Sequence, residues 1–75
     1  MINVGDKVCF KLSKNRSFTG TVILIMSHSD RYQYLVTVPD EYNGLVCDCY
    51  DNNGKSAVYA VEWFKYCELE VVENH

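Results

Sequence analysis

FTGTVILIM, Phe18 to Met26, is the stretch on which the fold turns. It is rich in β-branched residues and has no helical periodicity. Strict alternation would place Val22, Leu24 and Met26 on one face and Thr21, Ile23 and Ile25 on the other. Both faces are apolar, so the segment is expected to be the most central strand of a sheet. Gly20 interrupts the pattern. A glycine inside a strand marks a bulge or a sharp bend, and a short sheet needs such a bend to curl on itself.

The flanking segments extend the same reading. Upstream, VGDKVCFKL opens with a Gly-Asp turn and then alternates. Val8, Phe10 and Leu12 would face inward, with Lys7, Cys9 and Lys11 outward. Ser13 to Ser17 is a polar loop. Downstream, SHSDR is a turn and YQYLVTV, Tyr32 to Val38, is a third strand. Pro39 ends it, because proline cannot donate to a ladder, and Asp40 to Gly44 is a turn. LVCDCY, Leu45 to Tyr50, is a weaker strand candidate. Asn53-Gly54 is the dipeptide of a type I′ hairpin turn, in which both centres need positive φ. AVYAVEW follows as another strand.

The chain ends differently. In WFKYCELEVV, Trp63 to Val72, the spacing predicts a 3₁₀ turn at about Phe64 to Cys67. A closing strand would then put Leu69 and Val71 inward and Glu68, Glu70 and Val72 outward. Adjacent rings on a strand take opposite faces, so one of Trp63 and Phe64 is expected in the core and the other outside.

These 75 residues are too few for more than one domain, spanning 1–75. Segment 40–56 reads as a hairpin inserted into it. Hydrophobic residues make up 48% of the chain, which excludes a disordered tail. The longest apolar run, Val22 to Met26, is far below the roughly 20 residues of a membrane span. The N-terminal residues lack the features of a signal peptide, so a cytoplasmic location is expected. Residues 1–31 carry a formal charge of +3 and residues 32–75 carry −6. A net charge of −3 disfavours general nucleic-acid binding, which depends on neutralising phosphates.

The four cysteines are Cys9, Cys47, Cys49 and Cys67. In a reducing compartment they stay thiols. The C-x-C pair, Cys47 and Cys49, would share a strand face. A metal there is geometrically conceivable, but the spacing is not that of a zinc site, and all four read as small buried hydrophobes. No cofactor is expected, with a metal-stabilised barrel through Cys47 and Cys49 as a remote alternative. His28 lies in SHSD, but members of a catalytic triad meet through the fold and not as sequence neighbours. Cys49 is flanked by Asp48 and Asp51, which oppose thiolate formation. There is no phosphate loop and no carboxylate pattern for a metal. The chain is therefore expected not to be an enzyme.

The order of motifs now carries a resemblance. Gly5, Asp6 and Val8 open the chain; Gly20, Thr21 and Val22 start the second strand. Tyr34, Leu35 and Val36 form the third, and Trp63, Phe64, Glu68, Leu69, Glu70 and Val72 close it. Nearly the whole chain resembles the small SH3-like barrels, many of which are short proteins of bacteria and their phages. The resemblance implies an all-β barrel of about five antiparallel strands with a 3₁₀ turn before the last. It also implies a protein-binding role, in a phage or mobile-element protein that modulates or inhibits a host enzyme. KOW-type modules, which contact RNA or transcription proteins, share the glycine opening. This chain departs from them in its acidic second half.

Two surfaces are candidates. Tyrosine and tryptophan are enriched where interfaces anchor. Tyr50, Tyr59, Trp63 and Tyr66, with the acidic Glu68 and Glu70, are the expected partner-binding set. The alternative is a nucleic-acid patch at Lys11, Lys14 and Arg16. An apolar outer side of the second strand, at Ile23 and Ile25, would suit a homodimer.

Overall fold

The long second strand organises the fold. In a computed structural model that describes residues 1–28, 31–50 and 53–73, strand β2 runs from Arg16 to His28. Its first half pairs antiparallel with β1, Lys7–Ser13, in a register that sets Phe10 opposite Phe18. Its second half pairs with β3, Arg31–Thr37. One strand thus serves two halves of the sheet, and it changes partner at Gly20 and Thr21. A Cβ at Gly20 would collide with the Thr37 carbonyl oxygen and lie 2.8 Å from Val36 Cγ1. The Thr21 amide donates to Thr37 Oγ1 at 2.9 Å. Only a residue without a side chain lets β2 cross β3 this closely.

β4, Leu45–Tyr50, β5, Ser56–Lys65, and β6, Glu70–Glu73, complete the sheet. Its order is β4-β5-β3-β2-β1-β6, with every pair antiparallel. The protein is all-β: the described residues form six strands in one sheet that does not close, because among them the edge strands β4 and β6 do not pair with each other. Two 3₁₀ turns interrupt the strands, at Asp40–Tyr42 and Tyr66–Glu68. The second matches the turn expected before the closing strand, shifted toward the C-terminus. No helix among the described residues is long and apolar enough to cross a membrane.

A cluster of buried side chains forms the core. Ile2, Val8, Phe10, Val22, Tyr34, Val36, Val38 and Phe64 form it, with Leu69 and Val71 packed against its margin. Phe64 is 5% exposed and Trp63 is 37% exposed, so the two rings divide between faces as the strand geometry requires. Phe10, Phe18, Tyr42 and Phe64 make an aromatic cluster, with Phe10 and Phe64 centroids 4.6 Å apart. Tyr42 joins from the first 3₁₀ turn, which Asn43 ends at φ 65°. The N-terminal segment is bound to the sheet by backbone. The Gly5 amide donates to the Val22 carbonyl and the Val22 amide to the Asp6 carbonyl. The Asp6 side chain is buried and accepts from the Asn3 amide at 2.9 Å.

Several expectations are corrected. The register slips between Val22 and Leu24, so the face pattern of β2 inverts after Ile23. Ile25 therefore packs against the core, and Leu24 and Met26 face outward. The apolar surface expected at Ile23 and Ile25 is not there as described. A second irregularity, between Lys11 and Ser13, leaves Leu12 exposed. The polar loop Ser13 to Ser17 contracts to the two residues between paired Ser13 and Arg16. Asn53-Gly54 does not form a two-residue turn: Tyr50 pairs with Ser56, which leaves residues 51–55 as the connection. Gly54 has φ 80° within it. The cysteines are free, and none of them is fully buried.

Candidate functional site

The richest surface lies where the start of β3 meets the end of β5. Gln33 pairs with Lys65 and Tyr34 with Phe64. The backbone then turns into the second 3₁₀ turn, where the Lys65 amide donates to Glu68 Oε1 at 2.8 Å. This turn swings Tyr66 toward β3, and its ring centroid lies 6.3 Å from that of Tyr34. Tyr34 and Tyr32 share strand parity, but Tyr34 is buried and Tyr32 is 54% exposed. Tyr66 is 56% exposed.

Two clefts meet at these rings. One, of about 370 Å³, is lined by Met1, Ile2, Ile25, Tyr32, Tyr34 and Tyr66. Its side chains are apolar apart from the phenol groups, and the chain's N-terminal residue, Met1, is at its rim. The other, of about 460 Å³, is lined by Arg31, Tyr32, Gln33, Lys65, Tyr66 and Cys67. Tyr32 and Tyr66 are common to both. Burial raises the Tyr34 pKa, and neighbouring Tyr66 and Tyr32 raise it further. The Tyr34 hydroxyl is therefore protonated at neutral pH and able to donate. Half-exposed rings with polar tips desolvate readily against a partner while keeping a hydrogen bond.

The six residues expected to bind a partner do not come together. Tyr66 belongs to the double cleft. Glu68 and Glu70 line a separate cleft with Cys9, Lys11 and Cys67, and the Glu68 carboxylate is already held by the Lys65 amide. Trp63 pairs with Leu35 on the outer face of the sheet, and Leu35 pairs in turn with Leu24. Tyr59 is half-buried on β5 opposite Cys47, and Tyr50 is exposed at the end of β4.

The basic set is also divided. Lys11 is exposed on β1, and Lys14 lies in the tight turn. The Arg16 guanidinium is 3.1 Å from Glu41 Oε2 and 5.3 Å from the Phe18 ring centroid. Glu41 neutralises Arg16, which weakens this patch as a phosphate site. His28 has no described side chain, and Asp51 and His75 lie outside the described residues.

Of the residues that line the double cleft only Tyr66 was in the expected partner-binding set, and Tyr32 and Tyr34 were missed. Their signal was the strand parity of Tyr32 and Tyr34, which puts both rings on one side of β3. Comparison with protein-family models, with curated proteins and with solved structures finds no match for this chain.

Proposed function

We propose that the chain is a non-enzymatic protein-binding module of the SH3-like barrel type, taking a partner segment in the Tyr32 and Tyr66 double cleft. The reading rests on one observation: the same two half-exposed rings wall an apolar cleft on one side and a basic one on the other. Such a pair suits an extended peptide with an apolar residue next to an acidic one. The apolar side chain enters beside Ile2 and Ile25, and the carboxylate meets Arg31 and Lys65. Rings that become desolvated at the centre of a contact carry most of its energy. The resemblance to small phage barrels makes a host protein the proposed partner, with modulation of an enzyme as the consequence.

Fluorescence anisotropy with two labelled peptides tests this, one alternating Leu and Glu and the other Leu and Lys. The Leu-Glu peptide is expected to bind in preference. Tyr32→Ala and Tyr66→Ala are each expected to weaken it about tenfold, the scale of an interface anchor, with the fold kept. Equal affinity for the two peptides, or no effect of either substitution, overturns the reading. So does single-stranded RNA that binds at low salt, is lost in the same variants, and leaves both peptides unbound.

A further inference from the structure

Cys47 and Cys49 are two apart on β4, so the pleat turns both side chains to one face. Their sulfurs are 3.4 Å apart. The Cys49 Sγ also lies 3.8 Å from the Cys47 carbonyl oxygen. The pair opens into a cleft of about 350 Å³ with Ile23, Leu24, Leu35 and Tyr50. Both thiols are free and half-buried. This cleft is separate from the tyrosine site and has no role in the function proposed above.

A contacting dithiol has two main chemical outcomes, a disulfide or a bound ion. A disulfide needs Cα atoms about 4.4–6.8 Å apart, and residues two apart on a strand span about 6.8 Å, at the limit of that range. A thiophilic ion does not need a thiolate in advance, because it displaces the protons as it binds. The pleat puts both sulfurs on one face, and two donors alone hold an ion in a near-linear arrangement: with metal–sulfur bonds of about 2.3 Å, the sulfurs would part from 3.4 Å to at most ~4.6 Å. Among the described residues no group of three or more His, Cys, Asp or Glu is placed to hold a metal. Zinc requires four donors, which this cleft does not gather. Soft thiolates hold Cu(I), zinc and iron–sulfur clusters, and of these Cu(I) is the one that two donors satisfy.

We propose that Cys47 and Cys49 form a dithiolate site for a soft monovalent ion of the Cu(I) class, at the edge of the sheet beside Ile23, Leu24 and Leu35. On binding, two S–H bonds break, two metal–sulfur bonds form, and two protons leave to solvent. The ion enters and stays as Cu(I), so no oxidant or reductant is needed.

The test is an anaerobic titration of the reduced protein with Cu(I) held by a coloured bicinchoninate competitor. One equivalent per chain is expected to transfer. Cys47→Ser and Cys49→Ser are each expected to weaken binding by more than the roughly 100-fold that loss of an outer partner costs a metal site. The Cys9→Ser, Cys67→Ser double variant should bind as the parent does. Amide spectra of each variant check the fold, and Cys→Ala variants replace any Ser variant that does not fold. Retained affinity without Cys47 or Cys49, loss on removing Cys9 and Cys67, or displacement of Cu(I) by equimolar zinc overturns the proposal.

Discussion

Replacing Gly20 by alanine tests the crossing that organises the sheet. No unusual φ is required there, so the backbone conformation itself would accept alanine. The conflict is steric. The new Cβ would sit 2.8 Å from Val36 Cγ1 and closer still to the Thr37 carbonyl oxygen, which is backbone. Overpacking a core costs about 1–3 kcal/mol when side chains can adjust. Here part of the ladder must shift, so a loss of about 3 kcal/mol or more is expected. A chain of 75 residues has roughly 4 to 11 kcal/mol of stability in all. The substitution therefore removes a large fraction of it. Urea unfolding followed by tryptophan fluorescence reads the change through Trp63. At a slope of about 1 kcal/mol/M, the midpoint should fall by about 3 M or the chain should be unfolded in water. Gly54→Ala is the control. Its Cβ would meet nothing within 4 Å, but its φ is 80°. It should cost only the ~1–2 kcal/mol of a left-handed residue. If Gly20→Ala lowered the midpoint by less than about 0.5 M, or by less than Gly54→Ala, the proposed crossing would be wrong.

Other substitutions separate core from surface. Phe64→Ala should cost about 3–5 kcal/mol in thermal or urea unfolding, as for a buried ring, and Trp63→Ala clearly less. A double-mutant cycle on Arg16 and Glu41 should return no more than about 1 kcal/mol, falling with added salt, because both side chains are more than half exposed. Alkaline titration should expose the buried tyrosines. Burial raises the pKa of Tyr34 and of Tyr42, the latter also through Glu62 and Glu68. The unfolded chain then loses these protons first, so their contribution holds below about pH 10 and declines as pH rises through the folded values. Stability that stays level across that range contradicts the assignment.

Sequence patterns were most informative where local geometry decides. Alternation on β1 placed Val8 and Phe10 inside, and adjacency forced Trp63 and Phe64 to opposite faces. Leu69 and Val71 pack against the core, and Glu68, Glu70 and Val72 face solvent, as the period of two requires. Local pattern fails where one residue too many enters a ladder. The slip after Val22 inverts Leu24 and Ile25, and nothing in VILIM marks which residue is extra. Tyr42 reads as a turn residue because its core partners, Phe10, Phe18 and Phe64, are all distant in sequence. The double cleft was missed for a related reason. Tyr32 and Tyr66 meet only because Gln33 pairs with Lys65, a register that pairing sets and composition does not reveal.

The open edge at β4 also bears on solubility. LVCDCY presents an unpaired row of backbone donors and acceptors, with Leu45, Val46 and Tyr50 exposed beside it. Such a row is a template for strands of other molecules. Within β4 the one formal charge is Asp48, between the exposed Val46 and Tyr50 on their shared face. Segments of six residues with strong strand preference and no charge are those that stack into fibrils. Asp48 stands where a gatekeeper would, so a neutral residue in its place is expected to make this edge a seed for aggregation.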